Sequence, residues 1–318
     1  MSKELENNLS EEEYLRRHLE SLEQNKTVQP QQQQQQQQKK SANSVEQSRA
    51  SDLHYFAFDA REFPCGIFYP AGSTIQVRAA QVKEIQAYSM VDDNNFYDIV
   101  EKMNDMLSSC VRIKHLDGTI GSYLDLRDPD RYYLIFLIRE LTFQKGSVLT
   151  TKVNCSCGLE VSVELKRENF KFFEPTDRIM EFFDSVSGSF RFEIKTGQVF
   201  NLAPPTIGVQ KSFTDYIVKE NAEKRKPNLS FLKIIPFMLP DRNSITIEGI
   251  KSKLDEFQKM DDIPFQFLNS AVEKLTFGIE KLESQCQCGL EIHTDMIFPD
   301  GPSAVFVVHD AFEQFIKE

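Results

Sequence analysis

The spacing of apolar side chains divides the chain into stretches of different period. Phe96, Ile99, Val100, Met103, Met106, Leu107 and Cys110 recur at i, i+3, i+4, i+7 and predict a helix with one buried face. Asp92 and Asp93 stand before it as candidate caps, and Cys110 reads as core filling. In "RDPDRYYLIFLIRELTF" Asp128 is a candidate cap and Pro129 takes the first helical position, where a missing N–H costs nothing. Tyr132 to Leu141 is apolar nearly all round, so this second helix must be buried on several sides, centrally or against a neighbouring subunit. Ahead of both, "HYFAFDAREFPCGIFYPAGSTIQVRAA" has the aromatic and β-branched residues between Gly and Pro that suit short strands and turns.

From Val148 the period becomes two. Val153 on one side and Val161, Val163 and Leu165 on the other flank "CSCGLE", which becomes the tip of a hairpin. A further strand pair, "SFRFEIK" and "QVFNLA", surrounds a Thr196-Gly197 turn. The helical period then returns and predicts helices at about 206–224, 229–239, 246–259 and 264–278. A second hairpin with the tip "CQCGLE" follows, then a last helix after His309. The expected fold is α+β, with mixed helices and short antiparallel hairpins.

Residues 1–52 have another character. Their Gln run and scarcity of aromatics cannot bury enough surface to offset ordering, so a disordered arm is expected. Within it, Ser10 and Glu13 at capping-box spacing and Leu15, Leu19 and Leu22 on one stripe predict a short helix near 10–24, free or docked in a partner's groove. The remainder divides into an α+β core at 53–203 with the first cysteine hairpin, and a mainly helical lobe at 204–318 with the second, packed with the core.

The two hairpins echo each other beyond their tips: "RELTFQKGSVLTTKVNCSCGLEVSVEL" aligns with "EKLTFGIEKLESQCQCGLEIHTDM" once three residues are dropped. Four of the six cysteines lie in these turns. Tetrahedral zinc takes four thiolates, and residues i and i+2 of an extended segment face one side, so Cys155, Cys157, Cys286 and Cys288 form a candidate site for one structural Zn2+ per chain. Glycine after each pair lets the backbone turn back. Free thiols, redox or disulfide use and an iron–sulfur cluster are the competing states, and His293 is a remote candidate ligand. Such an ion would close the long loop between the turns with on the order of 10 kcal/mol of apparent folding free energy.

A formal charge of −11 opposes the phosphate neutralisation on which nucleic-acid binding depends. No apolar run approaches the roughly eighteen residues of a membrane span, and the first residues lack a signal-peptide core. Nucleic acid, membrane and small-molecule substrate are therefore not expected partners. No GxSxG, HExxH, GxxxxGK[ST] or GxGxxG occurs, and His18, His54, His115, His293 and His309 show no triad spacing. Asp125, Asp128 and Asp130 lack the Gly and alternation of a calcium loop and suit helix capping better. These features predict a protein that is not an enzyme.

One block carries a resemblance. "FYPAGSTIQVR", "KEIQAYSMVDD" and "DRYYLIFLIRELTF", within residues 65 to about 143, resemble the T4-type baseplate hub protein family of contractile-tailed bacteriophages. The resemblance implies a structural or assembly component of the central hub. Its partners would be other hub and tail proteins, and its places the host cytoplasm during assembly and then the tail baseplate of the virion. The alternative is a zinc-stabilised chaperone or adaptor for tail proteins, absent from the mature particle.

Overall fold

The computed structural model describes residues 54–143, 149–240, 242–295, 298 and 301–306. The expected arm at 1–52 with its helix near 10–24, and the helix after His309, lie outside these residues. The chain divides into two units, Tyr55–Ser212 with Ser230–Glu318 and a second that includes Phe213–Leu229. Both the expected 53–203 core and the 204–318 lobe contribute to the first unit. The architecture is α+β, with helix and no strand among the described residues of Phe213–Leu229.

The first sheet is antiparallel, in the order β1 (Phe56–Asp59), β2 (Thr74–Val77), β3 (Val111–Lys114), β4 (Ile120–Gly121). Alternation puts Ile75, Val77, Val111 and Ile113 on the buried face. Helix α1 (Val82–Tyr88) has no sequence forecast, because of its residues only Tyr88 is buried and no apolar stripe exists to read. Polar contacts start it instead: Glu84 accepts from the Gln81 N–H at 2.7 Å and from both Arg78 amino groups at 3.0 and 2.7 Å. Helix α2 (Phe96–Cys110) buries Met103, Met106, Leu107 and Cys110 of its expected face, while Phe96 at its start is exposed and Ile99 and Val100 are half-buried, and it passes directly into β3. Its cap is not Asp92 or Asp93 but Asn95, whose side chain accepts from the Tyr97 and Asp98 amides. Asp93 instead accepts from the Ser303 N–H and hydroxyl, both at 2.7 Å.

Helix α3 (Arg131–Thr142) buries Tyr133 through Arg139 on every side. Its apolar circumference is thus consumed within this chain, and burial against a neighbouring subunit is not needed to explain it. Asp128 does not cap it. Residues Asp128–Asp130 form a 3-10 turn in which Asp128 pairs with Arg131, and Arg131 also donates to Asn104 on α2 at 2.6 Å. The three aspartates diverge, since Asp125 accepts from the Ser122 N–H at 2.7 Å while Asp130 turns inward.

Beyond α3 come β5 (Thr150–Asn154) and β6 (Glu160–Glu164), paired with each other, then β7 (Phe170–Phe172) and the single turn α4 (Asp177–Met180). Strand β8 (Phe183–Asp184), β9 (Ser189–Glu193) and β10 (Val199–Leu202) make a second small sheet, β9 in the middle, with Phe190, Phe192 and Phe200 buried. Helices α5 (Ile207–Ala222), α6 (Leu229–Ile234), α7 (Ile247–Gln258) and α8 (Asp262–Lys274) follow, then β11 (Ile279–Gln285) and β12 (Glu291–Thr294). Helix α8 stops at Lys274, short of the expected 278. Leu275 is its C-cap, and Phe277 leaves the helix to pack edge-on against Phe68 at 4.9 Å. The "LTF" that ends α3 therefore lies past the end of α8, so the repeat is looser in structure than in sequence.

Two long-range ties set the frame. Asp130 is fully buried, accepting from the Cys65 amide at 2.9 Å and from the Tyr69 hydroxyl at 2.5 Å. The neighbouring Arg127 donates to the Pro204 carbonyl at 2.8 Å, while Asp128 N–H donates to Pro205 and Ile207 N–H to Leu126, both at 2.8 Å. The start of α3 is thereby stitched to the chain entering α5.

Candidate metal centre

Local sequence builds two near-identical turns. In the first, register runs to Asn154 opposite Glu160, and between them the Cys155 amide donates to Leu159 at 2.8 Å and the Gly158 amide to Cys155 at 2.9 Å. In the second, Gln285 stands opposite Glu291, the Cys286 amide donates to Leu290 at 2.9 Å and the Gly289 amide to Cys286 at 2.9 Å. Gly158 and Gly289 both have φ of 87°, the left-handed region where a side chain is strained, which explains a glycine after each second cysteine. Leu159 and Leu290, which follow them, are each 48% exposed.

Tertiary structure then brings the tips together. Strand β6 leads by a short 3-10 turn into β7, and β7 pairs antiparallel with β11, giving the sheet order β12-β11-β7. Sulfur meets sulfur reciprocally: Cys155 Sγ lies 3.7 Å from Cys288 Sγ, and Cys157 Sγ lies 3.7 Å from Cys286 Sγ. All four sulfurs lie within 4.8 Å of one another. The first cysteine of each turn thus faces the second of the other, as in a two-fold interface.

This arrangement can hold a metal ion. A tetrahedron with metal–sulfur bonds of about 2.3 Å has edges of about 3.8 Å, close to the spacing of the two nearest pairs. Backbone N–H groups serve as an outer shell. The Cys157 amide directed at the Cys155 sulfur draws that thiol down to about 7, stabilising its thiolate. The Leu159 amide pulls Cys157 the same way, but shared protons with Cys155 and Cys288 push it up to about 12. The Cys288 amide likewise favours the Cys286 thiolate, and there desolvation and neighbouring sulfurs outweigh it and raise the group. Cys155, Cys157 and Cys286 titrate together, so an ion that binds the four-sulfur set must displace their protons. Within the set Cys155 and Cys286 are buried and Cys157 and Cys288 exposed.

All four candidate cysteines converge. No family model, curated protein or solved structure matches the chain. His293 does not join the sulfurs: its Nδ1 lies 3.3 Å from Glu283 and its Nε2 3.7 Å from Glu291. Cys65 and Cys110 are wholly buried elsewhere, the Cys110 thiol donating to Glu84 at 3.6 Å. The Asp130 cluster escapes sequence reading because Cys65 and Tyr69, which flank one 3-10 turn, lie more than sixty residues before it in the chain. The one available signal is an aspartate immediately before a helix that is apolar over most of its length.

Proposed function

We propose that this chain is a zinc-clasped structural or assembly protein of the central baseplate hub of a contractile phage tail, working through protein–protein contacts and not through catalysis. The convergence of four sulfurs carries the metal part of the proposal. Their span favours one ion over an iron–sulfur cluster, whose larger core holds its thiolates farther apart. Four thiolates also close the coordination sphere and leave no open position for a substrate or an activated water. Elemental analysis of protein purified without chelator should find one zinc per chain; less than about half would overturn the zinc assignment.

The place in the baseplate rests on the resemblance of residues 65–143. Within that block Met90, Phe96 and Tyr97 stand 80%, 64% and 37% exposed around the turn between α1 and α2, large apolar surface suited to a partner protein. Deleting the gene should leave phage heads intact and tails without complete baseplates, and normal infectious particles would overturn this placement. Mass spectrometry of purified virions then separates a retained hub component from an assembly factor that departs.

A further inference from the structure

The short sulfur contacts run between the turns, and each joins an exposed cysteine to a buried one: Cys288 to Cys155 and Cys157 to Cys286, both at 3.7 Å. An oxidant arriving from solvent therefore meets Cys157 or Cys288 first, and a resolving sulfur of the opposite hairpin stands 3.7 Å from either. We infer that hydroperoxides convert the metal clasp into a covalent one, forming disulfides Cys155–Cys288 and Cys157–Cys286 as the ion departs. This rests on the zinc assignment above.

In the first step a thiolate at Cys157 or Cys288 attacks the terminal peroxide oxygen. The O–O bond breaks, the alkoxide takes a proton and leaves as alcohol, and the sulfur becomes a sulfenic acid. The buried thiolate opposite then attacks that sulfur, forming the S–S bond and releasing hydroxide, which is protonated to water. For the whole centre, one Zn2+ held by four thiolates, two hydroperoxides and four protons yield two disulfides, two alcohols, two waters and free Zn2+. Sulfur is oxidised, peroxide oxygen is reduced, and zinc keeps its oxidation state.

Geometry selects the pairing. Each cross-hairpin pair must close from 3.7 Å to about 2.05 Å, within reach of small side-chain rotations. A disulfide within one Cys-x-Cys turn would close a small ring against the hydrogen bonds that fix Cys155 to Leu159 and Cys286 to Leu290, and such distortion stores strain. Cys65 and Cys110, each 0% exposed, are shielded from the oxidant. The hairpins therefore stay joined after the metal has gone, and thiol reductants restore the ligand set.

The test uses the full-length protein, with zinc measured before oxidation. Hydrogen peroxide is added in the presence of a zinc-sensitive dye, remaining thiols are alkylated, and a non-reducing tryptic digest is mapped by mass spectrometry. Cys155 and Cys157 share one tryptic peptide and Cys286 and Cys288 another. The expected result is release of the bound zinc, loss of four of the six free thiols, and the two peptides covalently linked. A Cys157→Ser/Cys286→Ser double variant, retaining only the Cys155–Cys288 pair, should still link them. Zinc release with disulfides inside each peptide, or with unlinked sulfinic acids, would overturn the inference and leave the zinc assignment standing. Protein without zinc before oxidation would overturn both.

Discussion

The two cysteine hairpins have the same turn and different foundations. Strands β5 and β6 pair with each other and, among the described residues, with no third strand. Strand β11, by contrast, has β12 on one edge and β7 on the other, and Leu282 at its centre is fully buried. The hexapeptide suffices for the turn, since identical hydrogen bonds and glycine angles recur on both foundations. It does not fix how firmly the turn is held. The sheet supports the second hairpin, whereas the first depends much more on the sulfur contacts at its tip. Because β7 pairs with β11, the long excursion between the turns is closed at its base by backbone bonds as well as at its tip by sulfur.

The largest test of this asymmetry is a Cys155→Ser/Cys157→Ser variant. Removing half of the proposed ligand set should forfeit most of a metal contribution on the order of 10 kcal/mol. Amide hydrogen exchange should then rise sharply in Thr150–Glu164 while the β7–β11–β12 sheet keeps its protection; equal loss in both would break the comparison. Leu282→Ala should cost about 2–5 kcal/mol and lower the midpoint of global unfolding, whereas Val163→Ala, also at a fully buried site, should loosen chiefly its own hairpin. Denaturant melts read alongside exchange would separate these outcomes.

Asp130 supplies a perturbation away from both hairpins. Burial raises its carboxyl to about 7, against donation from Tyr69 and the Cys65 amide, with Arg127 nearby. The folded state then holds a proton that the unfolded chain releases near 4, so stability falls as pH rises from about 4 to 7 and is level above that. The slope from this group is at most about 1.4 kcal/mol per pH unit. Asp130→Asn should remove that slope from pH-dependent urea melts without changing the relative protection of the hairpins. The smallest effect is expected from Gly158→Ala and Gly289→Ala. No neighbouring atom lies within 4 Å of either added methyl, so each should cost only the left-handed strain of about 1–2 kcal/mol. Calorimetry should return similar values for both; a much larger loss at one would show that the turns are not equivalent.

What could be read from sequence follows from the range of the forces involved. Helix α2 was legible because Met103, Met106, Leu107 and Cys110 all meet one core, and the cysteine turns because glycine and spacing are local constraints. Asn95 displaced the more obvious Asp92 and Asp93 as cap because only the residue at the helix boundary reaches the free amides. Helix α1 was hidden by its mostly exposed face. Convergence of the sulfurs was suggested by repetition, but the β7–β11 pairing that delivers it joins residues about a hundred positions apart and leaves no periodic trace.

The short run from β6 into β7 has one further consequence, which concerns concentration. Only Leu165 to Asn169 separate the strand of the first hairpin from the strand that pairs with the second. Once one pair of sulfurs has captured an ion, the other pair meets it as an intramolecular partner, at the millimolar effective concentration typical of short tethers or above. Neither turn excised as a peptide carries that advantage. Affinity for the ion is in this sense a property of the β7–β11 pairing, written in backbone hydrogen bonds some distance from any ligand.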